Sequence, residues 1–235
     1  MLQNNLRNSQ AGNVFVIILA GVFLFGALMF TFSRSAQKGS GNLTKQQAKI
    51  AAQEILNYAR AVEGAVDRVR RNGCSESEIS FDNAVVSGYS NPNAPPDGSC
   101  DIYGSNGGKL TWATPPDNAS IEDNQYYISA AHAVYGLGSS STATFCISEA
   151  DPSKCAELVI AVRKVREEIC REINSLLLGD ANIPVNSGGP NYASKFTGTY
   201  YATHAASVQP IATRCTQRPT TAPFYYYFYY TLLAR

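Results

Sequence analysis

The chain has 235 residues, 45% apolar and 16% charged, with 19 Lys/Arg against 18 Asp/Glu for a formal charge of +1. A protein that grips nucleic acid by bulk charge needs a clear basic excess, and this one has none. Intrinsic disorder is excluded as well, because there is ample apolar surface to bury and little net charge to oppose burial.

The first element in chain order is an uncharged block, Val14 to Phe32, reading VFVIILAGVFLFGALMFTF. As a helix it spans roughly 28 Å, close to the ~30 Å hydrocarbon thickness of a bilayer. A buried core helix would carry a polar stripe, and this block has none. A cleaved signal peptide has a shorter apolar region and ends in a small-residue site. Here Phe32 and Arg34 sit inside the only available site. The block is therefore read as a retained transmembrane helix, residues 14–32, behind a cytoplasmic leader-like tail, residues 1–13.

Orientation rests on two signals that disagree. Arg34 and Lys38 follow the block while only Arg7 and the terminal amine precede it, so the positive-inside rule does not favour an inside N-terminus. All six cysteines (Cys74, Cys100, Cys146, Cys155, Cys170 and Cys215) lie downstream of the block. An even number in an extramembrane domain reads as a disulfide framework in an oxidising compartment. The cysteines decide: tail inside, domain in the periplasm or beyond the cell. Of the 15 pairings that six cysteines allow, the most local are Cys74–Cys100, Cys146–Cys155 and Cys170–Cys215, since short loops close at least entropy cost.

Residues 33–43 form a Ser/Gly-rich linker. The domain proper, residues 44–235, opens at Thr44-Lys45-Gln46-Gln47, which has the spacing of a capping box. Ile55, Val62, Val66 and Val69 then recur at helical spacing until Asn72-Gly73 supplies the stop. The next stretch is turn-rich, with short strand-like runs at Cys100–Tyr103, Lys109–Trp112, Gln125–Ala131 and Thr142–Ile147. Ala156–Val162 reads as a strand leading into a helix, in which Val162, Val165, Ile169, Ile173 and Leu176 keep helical spacing and Gly179 is the stop. From Asn182 onward the chain is again strand and loop, ending in the aromatic run Phe224–Tyr230. The expected fold is α+β: a transmembrane helix, then an amphipathic helix packed on an antiparallel sheet, with long disulfide-stapled loops and a second helix.

Candidate chemistry is sparse. Gly104 to Thr111 imitates a phosphate loop but lacks the first glycine, where Tyr103 stands, and the hydroxyl after Lys109, where Leu110 stands. It is read as a turn. No serine-hydrolase elbow, zincin or dinucleotide motif occurs. His132 sits in a strand-like apolar context, and nothing but its presence recommends His204. Asp117, Asn118, Glu122, Asp123 and Asn124 gather oxygen ligands that calcium would accept, though in no EF-hand order. No cofactor and no metal is expected. Alternation along Phe224–Tyr230 puts Phe224, Tyr226, Phe228 and Tyr230 on a core face. Tyr225, Tyr227 and Tyr229 fall on the other, either within a core strand or on a surface for a partner or ligand. With Arg214 and Arg218, in a segment devoid of acidic side chains after Asp180, they are the candidate interaction surface.

Arg7-Asn8-Ser9-Gln10-Ala11-Gly12, then Asn13 and the apolar block, resembles the leader and first helix of type IV pilins and type II secretion pseudopilins. The resemblance implies cleavage after Gly12 by a prepilin peptidase on the cytoplasmic side. It also implies an inner-membrane anchor that packs in a filament core, and other pilin-like subunits as partners alongside the lipid bilayer. The acidic residue usual at the fifth mature position is replaced by Ile17, a departure shared with some minor, tip-type subunits. The linker at 33–43 interrupts what is usually one long helix. The function implied is non-enzymatic: assembly, priming or adhesion. The alternative is a single-pass envelope protein whose domain binds a glycan or peptide without forming a filament.

Overall fold

The computed structural model describes residues 18, 19, 22, 43–134, 137, 156–185, 194–200, 204–206, 212–218 and 224–235. The chain divides into two units, Met1–Asn42 and Leu43–Arg235. In the first, Ile18, Leu19 and Val22 are helical and exposed. The rest of the 14–32 block, Gly12 and the Ser/Gly linker up to residue 42 lie outside the described residues. Among the described residues no helix is long and apolar enough to cross a membrane.

The second unit opens with α1, Lys45–Arg71, a helix of 27 residues. Its start is a complete capping box: the Gln47 amide donates to Thr44 Oγ1 and the Thr44 amide donates to Gln47 Oε1. Two otherwise orphaned donors of the first turn are thereby satisfied. Arg68, Arg70 and Arg71 crowd the last turn, where cations suit the helix dipole. Gly73, at φ 103°, turns the chain away through a conformation glycine adopts without strain. Ile55, Val62, Val66 and Val69 are fully buried, whereas Glu54, Arg60, Asp67 and Arg71 are exposed, as the 3.6-residue period requires.

The remaining elements are a short 3₁₀ turn at Glu76–Glu78, β1 at Tyr126–Val134, β2 at Glu157–Val165, α2 at Glu167–Leu178, β3 at His204–Ala206, β4 at Thr213–Arg218 and β5 at Tyr225–Leu233. They form one sheet in the order β3-β1-β2-β5-β4. β1, β2, β5 and β4 are antiparallel to their neighbours, while β3 joins β1 in parallel at one edge. The expected antiparallel sheet thus holds for four strands. The fifth is parallel because its chain returns over a long crossover, the connection a parallel pair needs. α1 packs against α2 and β5, and α2 against β4 and β5, so both helices cover one face. That face carries the main core, with Ile128, Leu158, Ile160, Val162 and Phe228 all fully buried.

Three expected details are corrected. Cys100–Tyr103 and Lys109–Trp112 are not strands: they lie in a loop held by a single bridge, Ser80 to Asp101. Gly107 and Gly108 fold this loop back on itself so closely that a Cβ on Gly108 would stand 2.4 Å from the Ile102 carbonyl oxygen. The helical spacing read from Val162 begins too early, because Val162 and Val165 are still in β2, paired with Phe228 and Tyr226 of β5. The helix starts at Glu167 and ends at Gly179, in the left-handed conformation expected of the stop. Phe224 precedes β5 and is 53% exposed rather than in the core. The expected strand Thr142–Ile147 lies outside the described residues.

Among the described residues two disulfides are present, Cys74–Cys100 and Cys170–Cys215, both as the locality argument pairs them. Cys146 and Cys155 fall outside the described residues. The two bridges close loops of 26 and 45 residues, which restricts the unfolded chain by roughly 3–4 kcal/mol each on the chain-entropy account.

Candidate functional site

β5 has two faces. Phe228 points at the helices with Tyr226 and Tyr230 beside it. Their hydroxyls donate to Glu167 of α2 and Glu63 of α1. That hydrogen bond and the neighbouring Arg171 hold the Glu167 carboxyl below its ordinary range. On the opposite face the β4–β5 register sets Arg214 beside Tyr229, Thr216 beside Tyr227 and Arg218 beside Tyr225. The five residues expected as an interaction surface therefore form one patch, two strands wide.

The row continues across the sheet. Tyr229 is paired with Ala161 of β2, and Ala161 with Tyr127 of β1. The small Ala161 leaves room between two phenol rings. The Arg163 guanidinium lies 5.3 Å from the Tyr127 ring centre and the Lys164 ammonium 4.5 Å from that of Tyr225, distances at which a cation is drawn to a ring face. Lys164 also pairs with Glu122 at 2.8 Å, which raises the lysine's affinity for its proton and lowers that of Glu122. Tyr227 and Tyr229 are buried in a second small core with Val159 and Ala161. Burial pushes the Tyr229 hydroxyl up to about 12 against the pull of Arg214. Tyr225 and Arg214 are half-buried and Arg218 is exposed. The patch is thus an internal tyrosine layer whose accessible margin is cationic.

A second site was not legible in the sequence. The loop between α1 and β1 is tied down by Cys74–Cys100 and by the Asn91 side-chain amide, which donates to the carbonyls of Ser77 and Ile79 at 2.8 and 2.7 Å. Its aromatics pack edge-on: Tyr103 lies 5.3 Å from Trp112, and Phe81 lies 5.9 Å from Phe196. Beside them opens a pocket of 320 Å³ lined by Asp82, Asn83, Asp101, Tyr103, Thr111 and Trp112, among others. Burial raises the Asp101 carboxyl above its ordinary range, and Asp82 adds to the effect. Asp101 Oδ1 and Trp112 Nε1 are buried and find no hydrogen-bond partner among the described residues. Rings beside carboxyl, amide and hydroxyl groups give the pocket a lining of mixed polarity. The only advance signal was Trp112, the single tryptophan of the chain.

The remaining candidates disperse. Lys109 adopts φ 56° in a turn closed by the Gly108 amide on the Asp101 carbonyl at 2.7 Å, so Gly104–Thr111 is a turn as read. In the acidic loop, Glu122 turns to Lys164, Asp123 accepts from the Tyr127 hydroxyl, and Asn124 donates to the carbonyls of Pro115 and Pro116. Among the described residues no group of three His, Cys, Asp or Glu side chains is arranged to hold a metal. His132 lies in β1 and His204 in β3. Compared with protein-family models, with curated protein sequences and with solved structures, the chain finds no match.

Proposed function

We propose that the chain is a non-enzymatic, membrane-anchored pilin-like or pseudopilin-like subunit. It works in assembly, priming or adhesion of an envelope filament or secretion apparatus, with its α+β domain outside the inner membrane. The observation that carries the reading is a capped helix of 27 residues laid against a sheet, with one disulfide tying the loop after that helix and a second tying α2 to β4, downstream of a prepilin-type segment at residues 7–32. The cysteine pairs add the oxidising compartment. Its partners are the bilayer, other pilin-like subunits and a prepilin peptidase. Intact-mass measurement of protein extracted from membranes tests it. A chain beginning at Asn13 is expected. A chain retaining Met1 favours the second reading, and one beginning near Ala36 removes the anchor from both.

The second reading is an envelope domain that binds a glycan or peptide without filament formation. The pocket beside Trp112 favours it. Because Trp112 is the only tryptophan, indole emission of the full-length protein reports on that pocket alone. Saturable change in emission on titration with oligosaccharide is expected on this reading, and an unchanged spectrum with both oligosaccharides and peptides rejects it.

A further inference from the structure

The chain carries two matches to Asn-x-Ser/Thr with x other than proline, Asn42-Leu43-Thr44 and Asn118-Ala119-Ser120. In an extracytoplasmic protein that tripeptide is the acceptor of an N-linked glycan and belongs on a surface loop. Asn42 lies outside the described residues. Asn118 is exposed. It sits in a turn closed by the Ala119 amide on the Pro116 carbonyl at 2.9 Å, with φ 63°, a left-handed conformation that asparagine tolerates. Its own carbonyl accepts from Arg166 Nε at 2.9 Å. That bond holds the turn through the backbone and leaves the side-chain amide out of it.

A pocket of 220 Å³ opens beside the turn, lined by Leu43, Gln47, Ile50, Glu54 and Asn118 itself, among others. Ile50 is 47% exposed near the start of α1, so the pocket has an apolar wall next to the polar side chains of Gln47 and Glu54. A pyranose ring matches such a wall, with a face of C–H groups and a rim of hydroxyls. We propose that Asn118 carries an N-linked glycan whose first sugar lies at this pocket and covers Ile50. The proposal rests on the reading that the domain lies outside the inner membrane, where a transferase meets the chain as it emerges.

The donor is a sugar carried on a lipid pyrophosphate. One Asn118 Nδ2–H bond is replaced by a bond from Nδ2 to the anomeric carbon. The anomeric C–O bond breaks, the pyrophosphate leaves with the electron pair, and the amide proton passes to a base of the transferase. Nothing is oxidised or reduced. The fold also fixes the timing. The hydroxyl of the motif, on Ser120, is 9% exposed, donates to the Arg163 carbonyl of β2 at 2.8 Å and accepts the Glu122 amide at 3.2 Å. A transferase reads that hydroxyl only before β2 is in place, so the glycan is added ahead of folding. The exposed Asn118 then carries it without displacing packed side chains.

The test uses full-length protein extracted from membranes of the cells that make it. A non-reducing digest is read by mass spectrometry before and after an amide-cleaving N-glycosidase acting in heavy-oxygen water. The peptide holding Asn118 is expected to carry sugar mass before treatment, and afterwards aspartate with one heavy oxygen in place of Asn118. Asn118→Gln and Ser120→Ala are each expected to abolish the added mass, and Ser120→Thr, which keeps the motif, to retain it. An unmodified Asn118 peptide overturns the proposal, as does sugar mass that persists on this peptide in both Asn118→Gln and Ser120→Ala. The same digest separates this failure from that of the compartment reading. An intact Cys74–Cys100 bridge beside an unmodified Asn118 overturns the glycan alone, whereas free thiols there overturn both.

Discussion

Val62→Asp is expected to lower the stability of the Leu43–Arg235 unit by several kcal/mol. Val62 is fully buried near the middle of α1, on the stripe that includes Ile55, Ala59, Val66 and Val69. The substitution forfeits ~1.5–3 kcal/mol of apolar burial. It also leaves a carboxyl in an apolar core, where an unpaired polar group costs a comparable amount or more and a charged one much more. A domain of this size is held by about 5–15 kcal/mol, and 1 kcal/mol moves its midpoint by roughly 2–4 °C. Thermal unfolding followed by circular dichroism should therefore shift down by more than about 10 °C. Lys45→Ala, exposed in the first turn, should stay within ~0.5 kcal/mol of the parent. An unchanged midpoint for Val62→Asp would mean that α1 does not pack on the sheet, and the pilin-like proposal would lose its architectural support.

How much was legible follows from how local each signal is. α1 was readable because its capping box, apolar period and glycine stop all lie within one stretch of chain. The Cys74–Cys100 and Cys170–Cys215 pairs were readable because loop entropy ranks pairings by separation. The two false strands, Cys100–Tyr103 and Lys109–Trp112, failed because an apolar run of four residues does not say whether its side chains line a ladder or pack as loop aromatics. Tyr103 and Trp112 do the latter. Alternation in β5 sorted its tyrosines into two faces, but the burial of Tyr227 and Tyr229 depends on Val159 and Ala161 of β2, which no local pattern announces. The same holds for the pocket, assembled from residues 82–112 by a disulfide and a single bridge.

Those long-range contacts also decide how the sheet ends, and Asn174 is the residue on which one edge depends. β4 is an outer strand, and an outer strand presents unpaired amides and carbonyls to any other chain. Here α2 covers them. The Asn174 side chain accepts from the Cys215 amide at 2.9 Å and donates to the Cys215 carbonyl at 2.9 Å, imitating a neighbouring strand. It also donates to the Asn182 carbonyl at 2.8 Å. Two residues on, the Gln217 amide donates to the Pro184 carbonyl at 2.9 Å. Cys170 lies one helical turn before Asn174 and is bonded to the same Cys215, so one face of α2 holds the edge by a covalent bond and by an amide. Asn174 is fully buried, so water does not replace what it provides. Asn174→Ala is therefore expected to cost about 2–4 kcal/mol, since each buried main-chain group left unpaired costs ~1–3 kcal/mol. It should also make the protein self-associate through the opened β4 edge as concentration rises. Asn174→Asp separates the two halves of the contact. It keeps an acceptor for the Cys215 amide but, when ionised, has no donor for the Cys215 carbonyl. Burial raises its folded-state pKa above the unfolded value of ~3.9. Its stability should then be greatest below that value and fall as pH rises through the raised one. Denaturant unfolding at pH 4 and pH 7, with sedimentation of Asn174→Ala at several concentrations, measures both effects. Stability of Asn174→Ala within ~0.5 kcal/mol of the parent, with no self-association, would show that the edge is closed by something other than this side chain.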